Sequence, residues 1–287
     1  RLHLGLVAFL SHLYPGLPVP TDCSRFELLG GDECHRFSEA LRNYLWVKNY
    51  SSALSAASKA PSFFQSDAAE WAVKRFDNGC CLYVKGGNNA EDHNHNDVGN
   101  FIIYKNGAPF IIDTGNMTYT KDTFSEKRYT IWTNVSQYHN LPAIGGGNQR
   151  SGKDFRARNV FCGADSFSLD IGAAYENRAN IDKWVRSFDW RNGDVTVSEK
   201  YCFKRKMSVT LNFMCAVKPI REGNAFKFRQ NETELCMTVN TSLFDIEIEE
   251  ILITDSCLLH SWNDKLYRLK LTLKEDNING EITYSIK

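Results

Sequence analysis

The chain lacks net charge, with 34 Lys plus Arg balancing 34 Asp plus Glu over 287 residues. No one-signed field therefore recruits nucleic acid or an anionic membrane, and an anionic ligand must be met by a local basic cleft. Its apolar runs are too short for a bilayer span, which predicts a soluble chain. The nine cysteines form no C-x-x-C pair, are odd in number, and fall in several cases on core faces of expected strands. Free thiols are expected rather than a disulfide framework. Adjacent Cys80 and Cys81 would point to opposite faces of a strand and make poor joint ligands. There is no G-x-S-x-G, no internal repeat and no low-complexity tract. Gly145-Gly146-Gly147-Asn148-Gln149 lacks the strand-to-helix setting and the Lys-Ser/Thr end of a phosphate loop. Hydrophobic residues at 43% and aromatics at 13% are those of a globular protein with a large core.

Position 1 is Arg, and residues 1–14 read as a helix stopped by Pro15-Gly16, so the sequence is expected to begin inside a larger polypeptide. A second helix is expected after Asp32, with Phe37, Leu41, Tyr44, Leu45 and Lys48 on one stripe and an end near Asn49. The Ser/Ala-rich stretch closed by Pro61 marks the boundary between a helical segment, 1–62, and a β domain, 63–287. From residue 66 the period changes to two. Asp77-Asn78-Gly79 turns one hairpin, ending in Cys80 to Lys85, and Asn106-Gly107 turns another between Phe101 to Tyr104 and Pro109 to Asp113. Short alternating runs follow at Ser166–Ile171, Val195–Phe203, Met207–Cys215, Phe226–Phe228, Cys236–Val239, Ile246–Thr254 and Tyr267–Leu273. The expected fold is mostly β, a large antiparallel sandwich preceded by a short helical piece.

The chemistry concentrates in one stretch. His93 and His95 in Glu-Asp-His-Asn-His-Asn-Asp-Val-Gly are followed by Asp113 and His139, three of only seven histidines within fewer than fifty residues. Neutral imidazole and carboxylate are usual Zn²⁺ ligands, and His95, Asp113 and His139 would leave a coordination position open. On a straight strand, at ~3.3 Å per residue, His95 would lie about 15 Å from Asp113 and on the opposite face. The metal reading therefore requires a fold-back, for which Gly99 is placed. On the residues alone, three unrelated polar groups stand as an equal alternative.

His93 is either a solvated loop histidine or an imidazole that points into a cleft and moves a proton near neutral pH. Asp92, Asn94, Asn96 and Asp97 are neighbours that could fix ring tautomers, or simply turn formers. Arg128 and Tyr129, within Phe124 to Trp132, offer the cation and aromatic faces that hold sugars and uronate carboxylates, though such pairs also fill cores. Tyr119, Tyr129 and Tyr138 could each be a phenolic acid or base or only packing. The Asn-x-Ser/Thr matches at Asn49, Asn116, Asn134, Asn231 and Asn240 read as accidental.

Gly86-Gly87-Asn88, Asp92 through Gly115, Tyr119, Phe124 through Tyr129 and Ser136 through Gln149 resemble the C-terminal half of heparinase II/III-like polysaccharide lyases, densely over 66–150. Residues 1–60 resemble the end of the α/α toroid that precedes the sandwich in that family, and 155–287 share only the general look of strands. The resemblance implies β-elimination on a uronate-containing polysaccharide such as heparin, heparan sulfate or alginate. It implies His93 and Tyr129 as catalytic groups, and Asn94, Tyr119, Arg128, Asn140 and Gln149 as substrate contacts. It implies a structural zinc on His95, Asp113 and His139. In such lyases the carboxylate-neutralising Asn or His and a catalytic Tyr come from the toroid, so this chain would carry part of an active site and be feeble alone.

Two other functions compete: a non-catalytic carbohydrate-binding or scaffold module keeping zinc for stability, and metal-assisted glycan hydrolysis through bound water. The resemblance points to the bacterial periplasm or cell envelope, whereas free thiols point to a reducing cytoplasm.

Overall fold

A computed structural model describes residues 62–191 and 193–287, of which Phe63–Lys287 form one compact unit. The helices expected before residue 62 lie outside the described residues. The first sheet has the order β1 (Phe63–Ser66), β2 (Trp71–Arg75), β3 (Cys80–Lys85), β5 (Phe101–Lys105), β6 (Ala108–Ile111), β13 (Val209–Cys215), β18 (Lys265–Leu273), β17 (Phe244–Leu252), with β7 (Pro142–Ile144) also paired to β13. The second has the order β14 (Ile220–Glu222), β15 (Ala225–Gln230), β16 (Thr233–Val239), β19 (Asn277–Ile286), β12 (Val195–Met207), β11 (Ile181–Asp189), β10 (Ser166–Asp170), β9 (Arg158–Cys162). A small ribbon pairs β4 (Asn88–Asn89) with β8 (Gly152–Arg156).

The fold is the expected large antiparallel β architecture. Alternate residues point inward, as in β12, where Val195, Val197, Glu199, Tyr201 and Phe203 are buried between exposed or half-buried neighbours. Inward residues of both sheets, among them Leu82, Phe101, Phe110, Phe188, Phe213 and Tyr284, share one apolar core. A smaller cluster of Ile112, Met214, Ile253, Leu258 and Leu266 lies under helix α1 (Ser256–Trp262). Asp255 caps α1 by accepting from the Cys257 and Leu258 amides, and Trp262 Nε1 donates to the Thr114 carbonyl at 2.8 Å. The seven described cysteines are free thiols.

Both expected hairpins form, and Gly79 and Gly107 supply the positive φ their turns need. The second hairpin is not a straight ladder: Tyr104 pairs Pro109 but Ile103 pairs Ile111, leaving Phe110 as one extra residue on β6. Sequence periodicity missed β11 and β19, the two strands that flank β12 in the second sheet, and also α1. β11 interleaves Arg186 with aromatics, and in β19 the alternation is confined to Ile282, Tyr284 and Ile286 after a mostly polar first half containing Gly280, so neither reads as a clean hydrophobic alternation over its whole length.

Candidate active site and metal centre

The fold-back after His95 is a tight turn over Asp97–Asn100, closed by Asn100 N donating to the Asp97 carbonyl at 3.0 Å. Gly99 takes φ +87°, the third-position conformation that favours glycine. A Cβ there would lie 2.6 Å from Ile171 Cγ2, so both conformation and space demand glycine. The turn is pinned to β3 by Gly99 N on the Lys85 carbonyl and by Lys85 Nζ on Asp97 Oδ1 at 2.8 Å. Asp113 follows the end of β6, and His139 closes a run of short 3₁₀ turns from Lys121 to Tyr138.

These segments converge. One donor atom each from His95, Asp113 and His139 lie within 4.8 Å of one another, so the three can hold a metal ion. His139 Nδ1 contacts Asp113 Oδ2 at 2.8 Å, and Asn100 Nδ2 donates to the same oxygen at 2.7 Å. Asp113 Oδ1 accepts from the Gly115 amide, and His95 Nε2 meets Asn116 Oδ1 at 2.8 Å. With Nδ1–H of His139 on Asp113, its Nε2 holds a lone pair, and that atom is buried without a partner. An orphaned imidazole nitrogen amid two more donors suits a metal and is costly without one.

The electrostatics of the three donors are coupled, and an ion at His139 Nε2 would have to displace a proton that Asp113 favours. Burial pushes the Asp113 carboxyl up, but the His139 charge and hydrogen bond, the Gly115 amide and His95 outweigh it and hold it far below the ordinary range. Burial pushes His139 down, yet Asp113 beside it wins and raises it. His95 is lowered by burial and by His139, a shift toward the neutral ring that a metal ligand requires.

His93, two residues before His95, does something different. It is exposed, with φ +57° in the left-handed region that costs a non-glycine residue about 1 kcal/mol or more. Its ring stacks at 11° on Tyr119, whose hydroxyl lies 3.4 Å from His93 Nδ1, and Tyr119 meets Phe124 edge to face. His93 and Asn94 line two adjoining clefts. One, of about 340 Å³, also carries His95, Asp113 and Asn116; the other, of about 430 Å³, carries Phe124, Arg128 and Tyr129.

The remaining expected substrate contacts divide. Tyr119 and Tyr129 stay at or beside the cleft. Asn94 is buried with both carboxamide atoms unpartnered. Arg128 borders the cleft, but its guanidinium donates to the Asn94 carbonyl from Nε and Nη2 and to Thr123 from Nη1, so it holds the loop that carries His93. Asn140 and Gln149 do not line these clefts. Asn140 donates to the Phe101 and Ile112 carbonyls and accepts from Met214 N, and Gln149 is spent on Val98 and Asn89. Both carboxamides are buried, with oxygen and nitrogen each already bonded inside the protein. Sequence reasoning missed Asn116 and the tether through Asn100; neither residue type carries a metal signature.

Residues 59–187 match the family described as heparinase II/III-like, C-terminal. That match spans rather less than half of the chain and leaves residues 188–287 outside it. The fold resembles that of solved structures. Heparan sulfate lyase HepC from Pedobacter heparinus superposes with TM-score 0.61 at 15% identity, covering 99% of this chain and 41% of that one. A heparinase III gene product gives 0.60 at 12%, covering 99% and 54%, and a crystal structure of heparinase III gives 0.59 at 14%, covering 91% and 42%. The chain thus spans about half the length of the structures it matches. No curated protein sequence matches it. No helix among the described residues is long and apolar enough to cross a membrane.

Proposed function

We propose that this chain is the metal-bearing β part of a polysaccharide lyase that cleaves uronate-containing polysaccharide by β-elimination, heparan sulfate being the first substrate to test. The observation that carries the reading is the divided labour of the paired imidazoles: His95 is buried in the donor cluster, while His93 is held open at the cleft beside Tyr119.

In the reaction a base removes the C5 proton, its electron pair forms the C4–C5 double bond, and O4 leaves with a proton from an acid. His93 sits where it can take or give a proton at a ring bound in the cleft, with Tyr129 as the phenolic partner. The exposed faces of Tyr119 and Phe124 are suited to a sugar. A zinc ion on His95, Asp113 and His139 would supply Lewis-acid charge that fixes the loops bearing these groups. The cations lining the clefts, Lys85 and Arg128, are engaged with Asp97 and with main-chain carbonyls. The group that neutralises the C5 carboxylate is therefore proposed to lie outside these clefts, and the 287-residue chain is expected to be feeble alone.

Ultraviolet absorbance of the unsaturated uronate tests this in the complete enzyme. His93→Ala should abolish it with folding and metal content unchanged; unchanged turnover would instead favour a binding module. Products that consume water and carry no double bond would favour hydrolysis.

A further inference from the structure

Arg186 on β11 and Glu199 on β12 stand directly opposite each other in the ladder, both pointing into the core and both essentially inaccessible to solvent. Glu199 Oε1 takes Arg186 Nε at 2.7 Å and Nη2 at 2.6 Å. The carboxylate is fixed in turn by Trp184 Nε1 at 2.6 Å and Tyr284 Oη at 3.1 Å. That leaves Arg186 Nη1, which donates to two carbonyls of the other sheet's loops, Gly99 and Asn140, at 2.7 Å each. Gly99 is the hinge of the turn that folds His95 back, and Asn140 adjoins His139. The guanidinium also lies over the Phe101 ring, 5.3 Å from its centroid.

We propose that Arg186 is a positioning residue for the metal centre, one nitrogen clamping the His95 turn to the His139 segment while Glu199 holds the guanidinium in place. The inference rests on the metal reading of His95, Asp113 and His139. A planar, permanently charged fork suits the task, because it serves a carboxylate on one side and two carbonyls on the other. Burying an ion pair is costly against an apolar replacement, so its stability contribution alone is a poor reason for its presence. Its endpoints give a better one: both tie together strands of the site that are distant in sequence.

The test uses the full chain as wild type, Arg186→Met/Glu199→Gln and Arg186→Lys. The double variant removes both charges together while Gln keeps an acceptor for Trp184. Zinc affinity by competition with a chromophoric chelator is expected to fall about tenfold to a hundredfold. The visible spectrum of bound Co²⁺ should change its band shape, and the thermal midpoint should fall as well, because the Gly99 and Asn140 carbonyls lose their donor. Affinity within twofold of wild type and an unchanged cobalt spectrum overturn the proposal. If the double variant does not fold, Arg186→Lys decides: it keeps the charge at Glu199 but cannot hold the whole fork, so weakened zinc binding supports the proposal and wild-type binding overturns it. If wild type binds no metal, the metal reading fails by itself. The clamp is then judged by amide exchange in the metal-free chain, where faster exchange at Gly99 and in Asn140–Leu141 in the double variant supports it and unchanged exchange refutes it.

Discussion

Asn100 donates from Nδ2 to Asp113 Oδ2 at 2.7 Å while its Oδ1 accepts from the Asn140 amide at 3.0 Å. One carboxamide thus ties two segments of the donor cluster together. Asn100→Ala would strip Asp113 of a charge-assisted bond and orphan a buried amide. The expected cost is about 2–4 kcal/mol of stability, with zinc affinity about tenfold to a hundredfold weaker. Urea unfolding and chelator competition measure both, and a variant that matches wild type in each would show the tether idle.

Gly99→Ala meets two obstacles, φ +87° and the 2.6 Å approach to Ile171 Cγ2. A loss of about 2 kcal/mol or more is expected from conformation and overlap together. The same change at Gly107, which has positive φ but open space around it, should cost less, about 1 kcal/mol. Comparing the two denaturation midpoints checks the ranking.

The Asp113–His139 pair carries a pH signature with two limits. Depressed Asp113 adds stability above its unfolded pKa of about 3.9, lost as acid carries the pH down through its lower folded value. Raised His139 adds stability below its unfolded pKa of about 6.5, lost as base carries the pH up through its higher folded value. In the metal-free chain both contributions are full between roughly pH 4 and pH 6.5. An ion needs a neutral His139, so zinc affinity should rise with pH by about tenfold per unit until His139 has titrated, with one proton released on binding. Calorimetry in buffers of different ionisation enthalpy reads that proton, and a flat profile excludes His139 as a ligand.

Removing metal should lower stability by an amount that grows with the logarithm of free zinc over Kd, about 2.7 kcal/mol at a hundredfold excess. His139→Ala should abolish this zinc dependence of the thermal midpoint. His93→Ala should retain it, because that ring faces the cleft rather than the cluster. Loss of the zinc effect in both variants would contradict the divided roles.

Thiol reactivity should follow exposure. Cys215 is buried and its thiol is pushed up to about 12, whereas Cys257 is exposed on α1. Among the described cysteines Cys257 should be alkylated first in the native chain and Cys215 only on unfolding. Mass spectrometry of a timed labelling series gives the order.

The hairpins, the glycine bend and the three donors were legible in the sequence, because strand period, turn chemistry and ligand type are local properties. The register of the second hairpin was not: the extra residue at Phe110 arises where β6 leaves β5 for β13, a strand about a hundred residues downstream. Arg186 and Glu199 carried a faint signal, each a charge on the inward phase of an aromatic-rich strand, but only the pairing of β11 with β12 makes them partners.

By itself the sequence determined a mostly antiparallel β chain and the chemistry available to it: imidazole and carboxylate for a metal, a second imidazole for a proton. Tertiary structure alone decided which of these groups meet. It sent Asn140 and Gln149 into the core, gave Asn116 to His95, engaged Arg128 with main-chain carbonyls, and ran the Arg186 clamp across the core to the site. The physical reason is that hydrogen-bond capacity belongs to a residue type, whereas the partner that consumes it is set by long-range strand pairing and burial.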